Sequence, residues 1–261
     1  MTPVRKAYVD GPYGQVHLRM TPPRPGTVPL VCLHATAYSS QSFLPLMQAL
    51  GQDRQVIAID APGYGESDVP PLPLDMADYA SATVAAVEQV AEGPIAVLGY
   101  HTGCYVATEM AIARPDLVQK LALVGIPYFQ ALDLDFWKAR LTARHQLTER
   151  LDQFEERWAY FITNRHGSVS LERGYANFLD ELKAWPEGWW AHEAMFAYDS
   201  DARLPLVQQP VLVPNPAGHL ASASAAAARL FPHAAVVDLP EIAGPVLECA
   251  PEVLARLLAK I

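Results

Sequence analysis

Residues 94–115 read PIAVLGYHTGCYVATEMAIARP. Ile95 to Leu98 is a short apolar run of strand formers, and the alanine-rich segment after Gly103 has helical character as far as Pro115. Gly99 and Gly103 bracket Tyr100, His101 and Thr102, so the backbone can turn too tightly for a Cβ at either end. The spacing predicts strand, sharp turn and helix, with the His101 side chain held up at the carboxyl end of a sheet.

Working outward toward the N-terminus, Pro29 to Leu33 and Gln55 to Asp60 are compact apolar strands separated by a helix over Ser42 to Leu50. The first runs into His34, Ala35, Thr36, Ala37, Tyr38, Ser39 and Ser40. The second runs into IDAPGYGESD, where the glycines and Ser67 suit a tight turn that bonds to its own loop. Val4 to Asp10 and Gln15 to Met20 alternate on either side of GPYG and predict a hairpin. A helix from near Asp75 to Ala91 leads into the central strand. Toward the C-terminus, Val118 to Gly125, Gln209 to Pro214 and Ala234 to Leu239 read as strands, with an alanine-rich helix to Phe231 and a closing helix from Pro251 to Ile261. Strands alternating with helices predict an α/β fold with a mostly parallel sheet covered on both faces.

The turn at His101 resembles the nucleophile elbow, GxSxG, of the α/β-hydrolase superfamily, and IDAPGYGESD is similar to the DxPGxGxS turn of the same superfamily. The resemblance implies the α/β-hydrolase fold: a mostly parallel central sheet flanked by helices, with a helical cap insertion. The core is then 1–129 and 205–261, and the cap 130–204, where composition shifts toward charge and aromatics and all five tryptophans fall. Leu147, Leu151, Phe154, Trp158 and Phe161 recur there at steps of three and four, a helical period. The loop after Leu33 resembles the HG-type loop that supplies half of an oxyanion hole, which nominates the amides of Thr36 and Thr102 as donors. Tyr38, Tyr100, Tyr128, Trp137 and Trp158 are candidates to line the substrate pocket.

The chain departs from the superfamily at each position of its catalytic triad. His101 stands where the nucleophile belongs. Asn215 to Leu220, NPAGHL, lacks the acid, and Glu241 to Pro245, EIAGP, lacks the histidine; Gly125, at the alternative acid position, does not restore it. A histidine-centred site remains, with His101, His219 and His34 as catalytic candidates at the carboxyl edge of the sheet, where ligands of open α/β folds bind. Imidazole titrates near neutrality, so His101 over backbone donors suits removal of a proton from a carbon or hydroxyl, the chemistry of a lyase, isomerase or cyclase on a small, largely apolar carbonyl compound. Two alternatives stand beside it: ester or thioester hydrolysis at a non-standard site, and ligand binding or scaffolding without turnover. His17, His145, His166, His192 and His233 read as hairpin, cap or loop residues without a role, although His145 and His192 could face the pocket.

Composition narrows the partners. With a formal net charge of -9 and no basic block, the 261-residue chain is unsuited to capturing nucleic acid or an anionic membrane, and a small-molecule substrate fits better. Cys32, Cys104 and Cys249 are too far apart for a disulfide framework or a metal-ligand spacing, and neither a metal nor a cofactor is expected. No stretch has the apolar length of a signal peptide core or a membrane span, so a soluble, cytoplasmic protein is expected. Oligomeric state is not legible.

Overall fold

The computed structural model of the chain describes residues 1–129, 134–144, 147–185 and 187–261. Eight strands form one sheet: β1 (Arg5–Gly11), β2 (Gly14–Met20), β3 (Leu30–Leu33), β4 (Val56–Ile59), β5 (Ile95–Tyr100), β6 (Val118–Val124), β7 (Val211–Pro216) and β8 (Ala234–Leu239). Their spatial order is β1-β2-β4-β3-β5-β6-β7-β8. The β1–β2 hairpin joins antiparallel to β4, and all other pairs are parallel. Helices α1 (Leu44–Leu50), α2 (Met76–Val87) and α3 (Gly103–Ala113) precede β6, and α9 (Ala221–Ala228), α10 (Val246–Cys249) and α11 (Pro251–Leu258) follow β7.

The period of two along each strand sorts the apolar side chains into two cores. Val31, Leu33, Ile57, Ile59, Ile95 and Val97 pack with α2, α3 and α9 on one face. Leu30, Cys32, Val56, Ala58, Ala96 and Leu98 pack with α1, α10 and α11 on the other. Each fully buried aliphatic side chain contributes about 1.5–3 kcal/mol. Burial of both faces therefore explains why β3, β4 and β5 read as continuous apolar runs.

Local chemistry sets the helix ends. The Asp75 carboxylate accepts from the Asp78 amide at 2.8 Å, and Asp78 accepts in return from the Asp75 amide, a capping box that starts α2. The helix ends at Val87, short of the expected Ala91. The expected helix over Ser42 to Leu50 is divided into a 3-10 turn, Ser40–Phe43, and α1, with Pro45 in its first turn.

Between β6 and β7 the elements among the described residues are all helical: α4 (Leu134–Leu141), a 3-10 turn (Leu151–Phe154), α5 (Glu155–Trp158), a π-helical turn (Ala159–Thr163), α6 (Leu171–Ala184), α7 (Trp190–Ala197), α8 (Ser200–Arg203) and a 3-10 turn (Leu204–Leu206). The segment is tied to the core by polar contacts. Ser39 donates to the buried Asp180 at 2.7 Å, Lys183 pairs with Glu66, and the Tyr64 hydroxyl donates to the Gly188 carbonyl and accepts from the Ala191 amide. Among the described residues no helix is long and apolar enough to cross a membrane.

His17 corrects the sequence reading of a surface hairpin residue. It is fully buried, and Nδ1 lies 2.7 Å from Asp60 Oδ2. The antiparallel pairing of β2 with β4 brings it there: the Asp60 amide donates to the His17 carbonyl, and the His17 amide donates to Ser67 Oγ, both at 2.9 Å. The IDAPGYGESD turn thus folds over the end of β2.

Candidate active site

β5 ends in the expected sharp turn. His101 has φ +51°, a conformation disfavoured for residues with a Cβ, and α3 starts at Gly103. A Cβ on Gly99 would stand 2.6 Å from Cys104 Cα, and one on Gly103 2.3 Å from the Leu33 carbonyl oxygen. Both glycines are therefore required by close backbone approach. The His101 amide keeps the sheet bond to the Val124 carbonyl at 2.9 Å, which leaves the imidazole projecting beyond the strand ends.

Gly125, which follows β6, makes room for that imidazole. A Cβ there would lie 2.6 Å from His101 Cδ2 and 2.9 Å from Nε2. The acid that the superfamily sometimes carries after this strand would occupy the space the imidazole fills. Tyr100 packs against His101 with ring centroids 4.4 Å apart, and His219 approaches edge-on at 6.3 Å. Among the described residues no carboxylate bonds to His101. Burial, then the neighbouring His219 and His192, hold its pKa down at about 4, so it is neutral at neutral pH.

The imidazole faces a cavity of about 910 Å³ between the sheet edge and the helical segment. Thr36 and Thr102 border it, and among the described residues neither amide donates to a protein acceptor. The Thr102 hydroxyl donates to Met195 Sδ, another residue of the cavity wall, at 3.9 Å. Two spare N–H groups beside a neutral imidazole can hold a developing oxyanion while the imidazole takes a proton.

The structure divides the other candidates. Tyr38, Tyr100 and Trp137 line the cavity, and Trp137 stacks on His219 with centroids 6.0 Å apart. His219 is exposed at the rim, with its pKa lowered by desolvation. His34 does not line the cavity: its Nδ1 contacts the Ala35 carbonyl and its Nε2 accepts from the Ala61 amide, each at 2.9 Å. Both nitrogens are occupied, so His34 positions the loop that carries Thr36 and is withdrawn as a base. Tyr128 is turned outward to Asp201 at 2.7 Å. Trp158 is 38% exposed and packs edge-on against Tyr175 and Phe178. Neither of these borders the cavity.

Several residues to which the sequence reading gave no role line the cavity, among them His192, one of the two histidines named as able to face it. His192 faces the cavity with its pKa lowered to about 4, chiefly by burial and then by Arg157. Arg140, Arg157, Arg165, Glu181 and Glu248 place charge in a wall otherwise rich in aromatic rings. The helical period read over Leu147 to Phe161 becomes three short turns, Leu151–Phe154, Glu155–Trp158 and Ala159–Thr163, and a period carries no signal for which side meets the core. His145, the other cap histidine named, lies outside the described residues. Among them no group of His, Cys, Asp and Glu is arranged to hold a metal ion.

A sheet of this order with a sharp turn after β5 and a cavity over its carboxyl edge defines an α/β-hydrolase architecture. The profile of the alpha/beta hydrolase fold family matches residues 28–195, more than half of the chain, and the protein belongs to that family. It is 29% identical over 248 residues to the 2-(acetamidomethylene)succinate hydrolase of Mesorhizobium japonicum, covering 89% of this chain and 87% of that protein. A shorter match, 25% over 100 residues and 38% of each chain, is to the (E)-2-((N-methylformamido)methylene)succinate hydrolase of Acinetobacter baylyi. Among solved structures, an esterase from Exiguobacterium antarcticum superposes with a TM-score of 0.80 at 16% identity, covering 98% of both chains. An E-2-(acetamidomethylene)succinate hydrolase superposes with a TM-score of 0.76 at 22% identity, covering 99% of this chain and 98% of that one. At these identities the superpositions speak for the fold alone.

Proposed function

We propose that the protein is an enzyme of proton transfer, of lyase, isomerase or cyclase type, acting on a small carbonyl compound with His101 as base. The observation that carries this reading is the neutral imidazole facing the cavity, without a carboxylate partner, beside the two unoccupied amides of Thr36 and Thr102. The imidazole lone pair takes a proton from a carbon or hydroxyl next to the carbonyl. The electron pair released moves onto the carbonyl oxygen, and the two amides hold the resulting oxyanion. Collapse of that oxyanion returns the proton from His101 to another atom or expels a leaving group. A conjugate acid of pKa about 4 makes His101 a weak base, so the substrate must offer an acidic proton or draw heavily on the oxyanion donors. The helical segment 130–204 acts as the cap that closes the pocket and supplies its aromatic wall.

A second reading, hydrolysis at a non-standard site, is favoured by the 29% identical relative, a hydrolase whose name specifies a substituted succinate. In that reading His101 is acylated and His219, with its ring centroid 6.3 Å away, activates the water that releases the acyl group.

The test is hydrogen exchange at the carbon next to the carbonyl, followed by NMR in deuterated water over a panel of cyclic and open-chain ketones. Exchange is expected with the wild type and about 100-fold slower with His101→Ala. Equal rates in the two proteins would sink the proton-transfer reading. Serine-directed fluorophosphonates are expected not to label the protein, and His101→Ser is expected to remain inactive as an esterase, because an unactivated serine is a poor nucleophile.

A further inference from the structure

The charges lining the cavity do not cancel. Arg157 pairs with Glu181 at 2.7 Å, Glu248 with Arg173 at 3.0 Å, and Arg140 with Glu156 at 2.5 Å. Arg165 lines the same cavity, and among the described residues no carboxylate lies within ion-pair distance of it. Its guanidinium is nevertheless fixed in place. Nε donates to the Val169 carbonyl at 3.0 Å and Nη1 to the Ile162 carbonyl at 2.7 Å. A guanidinium carries five N–H donors, so donors remain beyond these two contacts.

The local backbone is shaped around this side chain. The π-helical turn Ala159–Thr163 delivers Asn164, Arg165 and His166 to the cavity wall, and such turns recur at functional sites. α6 approaches closely only because residue 174 is glycine. A Cβ there would stand 2.5 Å from the Phe161 carbonyl oxygen and 3.2 Å from Arg165 Cδ. The simple alternative is that Arg165 caps the last carbonyls of the π-helical turn, as basic side chains do near helix C-termini. Capping accounts for two donors and for none of the remaining charge at the cavity wall. A fixed, unpaired guanidinium matches a planar carboxylate in both charge and geometry.

We propose that Arg165 anchors a carboxylate carried by the substrate, so that the cavity takes a carbonyl compound that is also a carboxylic acid. This rests on the reading of the cavity as the substrate site, and it deepens that reading by naming the substrate class. The carbonyl lies at the sheet edge beside His101, and the carboxylate lies against the helical segment.

The probe is 4-oxo-4-phenylbutanoate beside its methyl ester, with binding followed by quenching of the tryptophans that line the cavity. Wild type and His101→Ala are both expected to bind the acid about tenfold or more tightly than the ester. In Arg165→Gln, which keeps an N–H donor for the two carbonyls and loses the charge, that preference is expected to vanish while affinity for the ester stays as it was. Arg165→Lys is expected to recover part of it. A preference undiminished in Arg165→Gln, an ester that binds the wild type as well as the acid, or failure of the folded wild type to bind either probe would each overturn the assignment. Because the acid preference is measured in His101→Ala as well, it stands or falls separately from the proton-transfer chemistry.

Discussion

Two histidines of this molecule show how setting separates a buried imidazole tied into the fold from one that faces a cavity. His17, on β2, sits beneath the turn with Asp60 at 2.7 Å, and the Asp60 carboxylate also accepts from the amides of Ser40 and Glu66. Burial works to raise the Asp60 pKa, but the hydrogen bonds from His17, Ser40 and Glu66 and the proximity of His34 outweigh it and bring it to about 2. Every oxygen of that carboxylate is committed to protein. His101 has the opposite setting: no acid partner among the described residues, an open cavity in front, and spare backbone donors alongside. Among the described residues, the buried acid–histidine pair is therefore spent on holding a turn against a strand, and the histidine with no acid partner faces the cavity.

The largest effect that tests this contrast is expected at Asp60. Asp60→Ala leaves Ser40, Glu66 and His17 without their acceptor and should cost about 3–5 kcal/mol by chemical denaturation, the scale for breaking a buried pair. A loss below about 1 kcal/mol would make the pair incidental. Next comes Gly125→Ala, which puts a methyl group where the His101 ring lies and at a φ of +68°. Exchange activity should fall about tenfold or more, at the scale of a misplaced catalytic group. Unchanged activity would show that the ring need not rest over Gly125.

A pH titration of stability separates the two histidine environments further. His101 and His192 have folded pKa values near 4, below the ordinary value of 6.5, so the unfolded chain binds protons first. Stability is then full above about pH 6.5 and falls as pH drops toward 4. Asp60 adds a second loss below its ordinary value of 3.8, toward about 2, worth roughly 2 kcal/mol. The melting temperature of His101→Ala should decline less between pH 6.5 and 4 than that of the wild type. An identical decline would mean that His101 keeps an ordinary pKa in the fold. The smallest effect is expected from Trp158→Ala, which should leave exchange rates within about twofold while lowering stability by about 1 kcal/mol, because the ring packs outside the cavity.

Much of the architecture was legible along the chain. The run Ile95 to Leu98, the paired glycines around His101 and the turn at IDAPGYGESD identify strands and turns because local sterics and burial act within a few residues. The identity of the side chain at the elbow, the lack of an acid in NPAGHL and the lack of a histidine in EIAGP were legible for the same reason.

The tertiary structure alone decided which of these residues meet. His17 is buried because β2 pairs with β4 and the later turn folds over it, a contact between segments 43 residues apart that no local pattern encodes. His34 spends both nitrogens on backbone groups, so a residue placed beside the site by its position supports a loop instead. Trp158 turns outward while His192 turns inward, because helix period tells which side chains share a face and leaves open which face meets the core; Tyr128, turned outward, and Arg165, turned inward, lie in connections that follow no period. The sequence by itself determined the strand, the sharp turn and which side chain stands at its centre, since those depend on neighbours along the chain. Which side chains line the cavity, and which charges there are balanced, was decided by the packing of distant segments.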